Sequence, residues 1–183
     1  MAMLQSMTVG TVGETVRQVF SQLDACFELP GEELGRRPDY PDAWSAAEHL
    51  EHVCLANHFL LLTITKGCGK ARRRAAAGAQ LPEGESDLAL LASIASPGVF
   101  DWSPPSHMVP AGGRELAELR AELKSQRDHC LELLACVPSG EGRLCSIRMS
   151  VQGLGRLDMY QWLYFLAQHA RYHLAMIDKT RSS

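Results

Sequence analysis

The chain has no CxxC pair, although it holds six cysteines: Cys26, Cys54, Cys68, Cys130, Cys136 and Cys145. Their scattered spacing offers no disulfide framework. Several fall inside apolar periodic segments, where cysteine behaves as a small hydrophobe. Reduced thiols in a cytoplasmic protein are the expectation. The opening "MAMLQSMTVG" lacks the basic and apolar regions of a signal peptide. The most apolar run, "FLLLTI", is far too short to span a bilayer, so no membrane is expected. A basic excess is missing too: the net charge is −3, which argues against nucleic-acid binding by bulk charge. No GxSxG, P-loop or GxGxxG occurs, so serine-hydrolase and nucleotide readings have no support. Neither internal repeats nor βαβ alternation are visible, which excludes a parallel sheet.

What is present is one chain of 183 residues, 46% hydrophobic and 21% charged. That is enough to bury a sizeable core as a single domain spanning 1–183. Val12, Val16, Val19, Phe20, Leu23 and Phe27 recur at three- and four-residue steps, which predicts a helix over about 8–28. The loop "LPGEELGRRPDYPDAW" follows. Ser45 with Glu48 three residues later is a capping box and fixes the start of a second helix, expected to run to about Lys66. This helix is apolar on nearly every side, which calls for more than one neighbour. Residues 67–112 read as a long linker with a short helix at 86–95 capped by Ser86. Periodicity returns over about 114–137, one extended piece is expected at 144–151, and a last helix over about 157–179. Four long helices predict an all-α, four-helix bundle with a long connection between helices two and three.

The final segment "YQWLYFLAQHARYHLAMIDK" sets His169 and His173 one turn apart on an apolar face with Trp162, Phe165 and Met176. The pair is open to two readings, packed core histidines or metal ligands, since each buried imidazole must satisfy two nitrogens. His52 falls on a stripe with Leu55, Phe59 and Leu62 and is expected to point inward. His49 and His58 lie off that stripe and read as surface residues; His129 lies off the main apolar stripe of the third helix, and His107 falls in a loop. Three inward imidazoles would suit zinc with an open fourth position, and nickel or iron(II) accept the same ligands. Glu48, one turn before His52, is placed either to orient that imidazole or to cap the helix, with the cap better supported. Cys54 reads as packed, and "KGCGKARRR" (66–74) as a solvated loop, with Lys66 suiting a helix C-terminus and no aromatics interleaved for base stacking.

"WSAAEHLEH" at the start of the second helix and "HARYH" on the last resemble the DinB/YfiT-like superfamily. The resemblance implies that Trp44 and Ser45 form the helix start and that His52, His169 and His173 are the ligands of a divalent metal, zinc or nickel. It implies a bundle that is commonly a homodimer. It also implies relatives that act on small-molecule substrates with a low-molecular-weight thiol. Two function classes follow: a metal-dependent transferase or hydrolase, in which the metal activates a thiol or water, and a non-catalytic metal-binding or stress-response module.

Overall fold

The computed structural model describes residues 6–100, 102–151 and 153–181. Four long helices dominate it: α1 (Met7–Cys26), α3 (Ala46–Ala76), α4 (Leu116–Ala135) and α5 (Met159–Arg181). A short helix, α2 (Gly31–Gly35), interrupts the first loop, where Leu34 is buried. A two-stranded antiparallel sheet, β1 (Ser146–Met149) with β2 (Gly155–Asp158), precedes α5. The all-α bundle expected from periodicity is therefore the architecture.

The long helices close a ring in which α1 packs on α5 and α4, and α3 packs on the same two. The first and second long helices thus sit diagonally, with α5 and α4 between them. Val12, Val16, Val19 and Leu23 of α1 are fully buried, as are Leu163, Leu166 and Ala170 of α5. Between α3 and α4, Asn57 donates to Gln126 at 3.0 Å and Gln126 donates to the Cys54 carbonyl at 2.9 Å. That short chain pairs two side chains the core would otherwise strand.

The sequence reading needs correction over 67–76. The "KGCGKARRR" stretch is not a loop but the last turns of α3, which continues to Ala76. Its glycines look like breakers, yet Ile64, Gly67, Cys68 and Ala71 keep the three- and four-residue step and are buried. Gly67 is where Met159 approaches: a Cβ there would lie 1.9 Å from the Met159 sulfur. The arginines of the last turn face solvent and suit the negative end of the helix dipole. The true connection is 77–115. Residues Ala89–Ala95 within it form a 3₁₀ helix rather than an α-helix, with Leu91 and Ile94 fully buried against α5. Ser86 does not cap it; Asp87 accepts from the Ala89 amide, and the Ser86 hydroxyl reaches Asp158 instead. The expected extended piece at 144–151 is β1, and its unexpected partner β2 overlaps the expected start of the last helix at Leu157 and Asp158. Asp158 ends that strand and caps α5, accepting from the amides of Tyr160 and Gln161. No helix among the described residues is long and apolar enough to cross a membrane.

Candidate metal centre

The capping box at the start of α3 forms as the sequence predicts. The Ser45 hydroxyl accepts from the Glu48 amide, and the Glu48 carboxylate accepts from the Ser45 amide. Arg37 adds an ion pair to the same carboxylate. Glu48 is thereby committed to the helix end, and orienting His52 falls to another group. That group is the carbonyl of Met108, 2.7 Å from Nδ1 of His52. A carbonyl only accepts, so Nδ1 of His52 carries the proton and Nε2 keeps its lone pair.

Nε2 of His52 faces Nε2 of His169 at 3.4 Å, and Nε2 of His173 lies 3.2 Å from the same atom. His52, His169 and His173 are 4%, 6% and 4% exposed. Their candidate donor atoms all lie within 4.8 Å of one another. An ion with nitrogen ligands at about 2.1 Å in tetrahedral geometry would separate those nitrogens by about 3.4 Å. Two of the spacings already match. Three imidazole nitrogens turned on one another cannot all be satisfied by shared protons, whereas one cation would take every lone pair. The residues fit a divalent metal.

Burial favours the ligating form. Desolvation lowers the pKa of all three imidazoles, that of His169 to about 3 and that of His173 well below the ordinary range. Neutral imidazole is the metal ligand, so the lowered pKa values favour the form that can ligate.

Aromatic side chains wall the cluster. Trp44 lies 4.9 Å from the His52 ring and stacks on His173 at 6.2 Å. Trp102, from the long connection, meets His169 edge-on at 5.4 Å, and Tyr172 meets His173 at 5.0 Å. Phe165 stacks on His169 at 6.3 Å. The stripe that suggested an inward His52 turns out differently: Leu55 and Phe59 are half-buried and Leu62 is 50% exposed. His52 is buried because the Met108 loop and α5 cover the first turns of α3, not because that stripe faces the core.

The expectation of a surface His49 is corrected. His49 is 6% exposed, and its Nδ1 lies 3.0 Å from Nδ1 of His173. It points between Trp44 and α5, a position created by tertiary packing; its three-residue offset from His52 was the available hint. His58 is exposed, and His107, expected in a loop, is exposed in the 3₁₀ turn Ser106–Met108, where its ring meets Phe59 at 4.5 Å. His129 pairs with the Thr65 hydroxyl at 2.9 Å, away from the cluster. Cys54 is fully buried, and desolvation raises its thiol to about 12, which suits packing and not nucleophilic attack.

A cleft of about 270 Å³ opens beside the start of α3, lined by Arg37, Glu48, Glu51, Gly112 and Arg114 among others. Its carboxylates are engaged: Glu51 accepts from the amides of Ala111 and Gly112. None of the triad histidines lines it.

A search of curated proteins and a search of solved structures each return no match. A family model described as the DinB superfamily matches residues 14–177, which takes in α3, α4 and the three triad histidines. The chain belongs to the DinB superfamily.

Proposed function

We propose that the protein holds one divalent ion, zinc or nickel, on His52, His169 and His173, and that it is a metal-dependent transferase or hydrolase acting on a small molecule. The observation that carries this reading is the convergence of Nε2 atoms of His52 and His173 on that of His169 at 3.4 and 3.2 Å, spacings suited to a tetrahedral ion. Three neutral ligands leave a bound ion its full positive charge, which supplies Lewis acidity to a thiol or water. The chain's own part is positional. Met108 holds the proton of His52 away from the cluster, and Trp44, Trp102 and Tyr172 exclude bulk water from it. A low-molecular-weight thiol is the favoured co-substrate, and six unpaired cysteines support a reducing, cytoplasmic setting.

A second reading rests on a specific observation. The triad is buried, and the cleft beside it reaches Glu48 and Glu51 without reaching the histidines. That arrangement favours a non-catalytic module in which the metal serves ligand capture or stability. Two measurements separate the readings. Metal analysis of untagged protein is expected to return about one divalent ion per chain, lost in His52→Ala because two imidazoles hold an ion much less well than three. A full equivalent in His52→Ala would overturn the triad. A panel of thiols and electrophiles is then assayed with metal-loaded wild type and His173→Ala. Turnover that needs both metal and His173 supports the enzyme; equal activity in the two proteins, or none, leaves the binding module.

A further inference from the structure

His49 lies outside the triad, yet its ring meets the far side of a triad member. The Nδ1 atoms of His49 and His173 are 3.0 Å apart, and both rings are more than nine-tenths buried. A hydrogen bond between two Nδ1 atoms needs one proton, and the choice of ring has consequences. If His49 donates, neutral His173 carries its proton on Nε2, the atom 3.2 Å from Nε2 of His169, and it cannot ligate. If His49 accepts, the His173 proton sits on Nδ1 and its Nε2 lone pair faces the cluster. The Met108 carbonyl imposes the same arrangement on His52. For His169 the described residues offer no such partner to its buried Nδ1.

We propose that His49 is a positioning residue of the metal centre, accepting the Nδ1 proton of His173 and so fixing both the tautomer and the ring orientation in which His173 presents Nε2. The inference rests on the metal reading above. Its structural basis is that α3 supplies one ligand, His52, and three residues earlier the acceptor that orients a ligand from α5. The capping box anchors that turn, and Trp44 packs edge-on against His49 at 5.4 Å. Outer partners of histidine ligands typically govern metal affinity by 10–100-fold.

The test uses calorimetric zinc titration of wild type, His49→Leu and His49→Asn, with thermal melts confirming folding. The leucine variant, similar in bulk and lacking an acceptor, is expected to bind zinc about tenfold more weakly, the lower end for a lost outer partner. Asparagine sets a carbonyl oxygen near the lost Nδ1 and is expected to restore most of the affinity. In zinc-loaded wild type, ¹⁵N correlation spectra of the imidazoles should show His49 bare at Nδ1 and protonated at Nε2. This signature stands even where a variant fails to fold. Unchanged affinity in His49→Leu, equal weakness in both variants, or a proton on Nδ1 of His49 would overturn the inference. Wild type that takes up no zinc would instead remove the metal reading on which it stands.

Discussion

Tyr160 is fully buried, and its hydroxyl is used twice, donating to the Val137 carbonyl and accepting from the Gly142 amide. A Cβ at Gly142 would lie 2.7–3.0 Å from three carbons of that ring. A ring held at both ends cannot swing aside, so Gly142→Ala is expected to cost about 1–3 kcal/mol, the usual range for overpacking. For a chain of this size that lowers Tm by about 2–12 °C, and an unchanged melt would show that the ring has room. The same dependence on distant partners decides which site residues could be read from sequence. His169 and His173 were legible as a pair because one helix fixes their spacing. His52 was placed inward by a stripe that in fact turns to solvent below it, and so correctly for the wrong reason. His49 was not legible, because a helical wheel cannot show that Trp44 and α5 close over its polar-looking edge.

Helix ends show how far local rules reach. The start of α3 was legible to the residue, since Ser45 and Glu48 satisfy one another's amides without outside help. The start of α1 was not. Ser6 makes no side-chain cap to its own helix; the carboxylate comes from Glu85, 77 residues beyond Thr8, and takes the Thr8 amide and the hydroxyls of Ser6 and Thr8. Those hydrogen bonds, the Ser6 hydroxyl foremost, lower the Glu85 pKa from its ordinary 4.5 to about 2. A depressed carboxyl stabilises the fold above its unfolded pKa and loses that contribution as pH falls through the folded one. Glu85→Gln is therefore expected to melt below wild type at neutral pH, with the gap shrinking as pH drops from about 4.5 towards 2. A gap of constant size across that range would show that charge has no part in the cap. The overrun of α3 past Lys66 has a comparable cause. Gly67 reads as a breaker by propensity, but Met159 packs into the space its missing Cβ leaves, a contact no window of sequence contains. Likewise β2 was missed because four residues, Gly155–Asp158, form a strand only opposite β1.

In the whole molecule, the four long helices followed from periodicity, but the ring order of the bundle did not. α1 and α3 are joined by 19 intervening residues, 27–45, and yet lie diagonally, a relation set by how α4 and α5 fill the space between them. The ring leaves one side of α3 incompletely covered. Leu55 and Phe59 are half-buried and Leu62 is 50% exposed, all at helical spacing on one face. The apolar surround of this helix already suggested that a single four-helix core would not cover it. We propose that a second copy of the chain covers this face, pairing the strip with itself in a two-fold homodimer. A self-complementary strip places Leu62 near its counterpart, so a charge there meets its own copy across an apolar contact. Leu62→Glu is expected to shift the protein to a monomer in light scattering at micromolar concentration while its helical circular dichroism is unchanged. Residue 62 lies on the solvent side of α3, almost three turns beyond His52, so metal content is expected to survive the change. A wild-type protein that scatters as a monomer throughout the micromolar range would remove the dimer, and the strip would then be a partly solvated edge of the bundle.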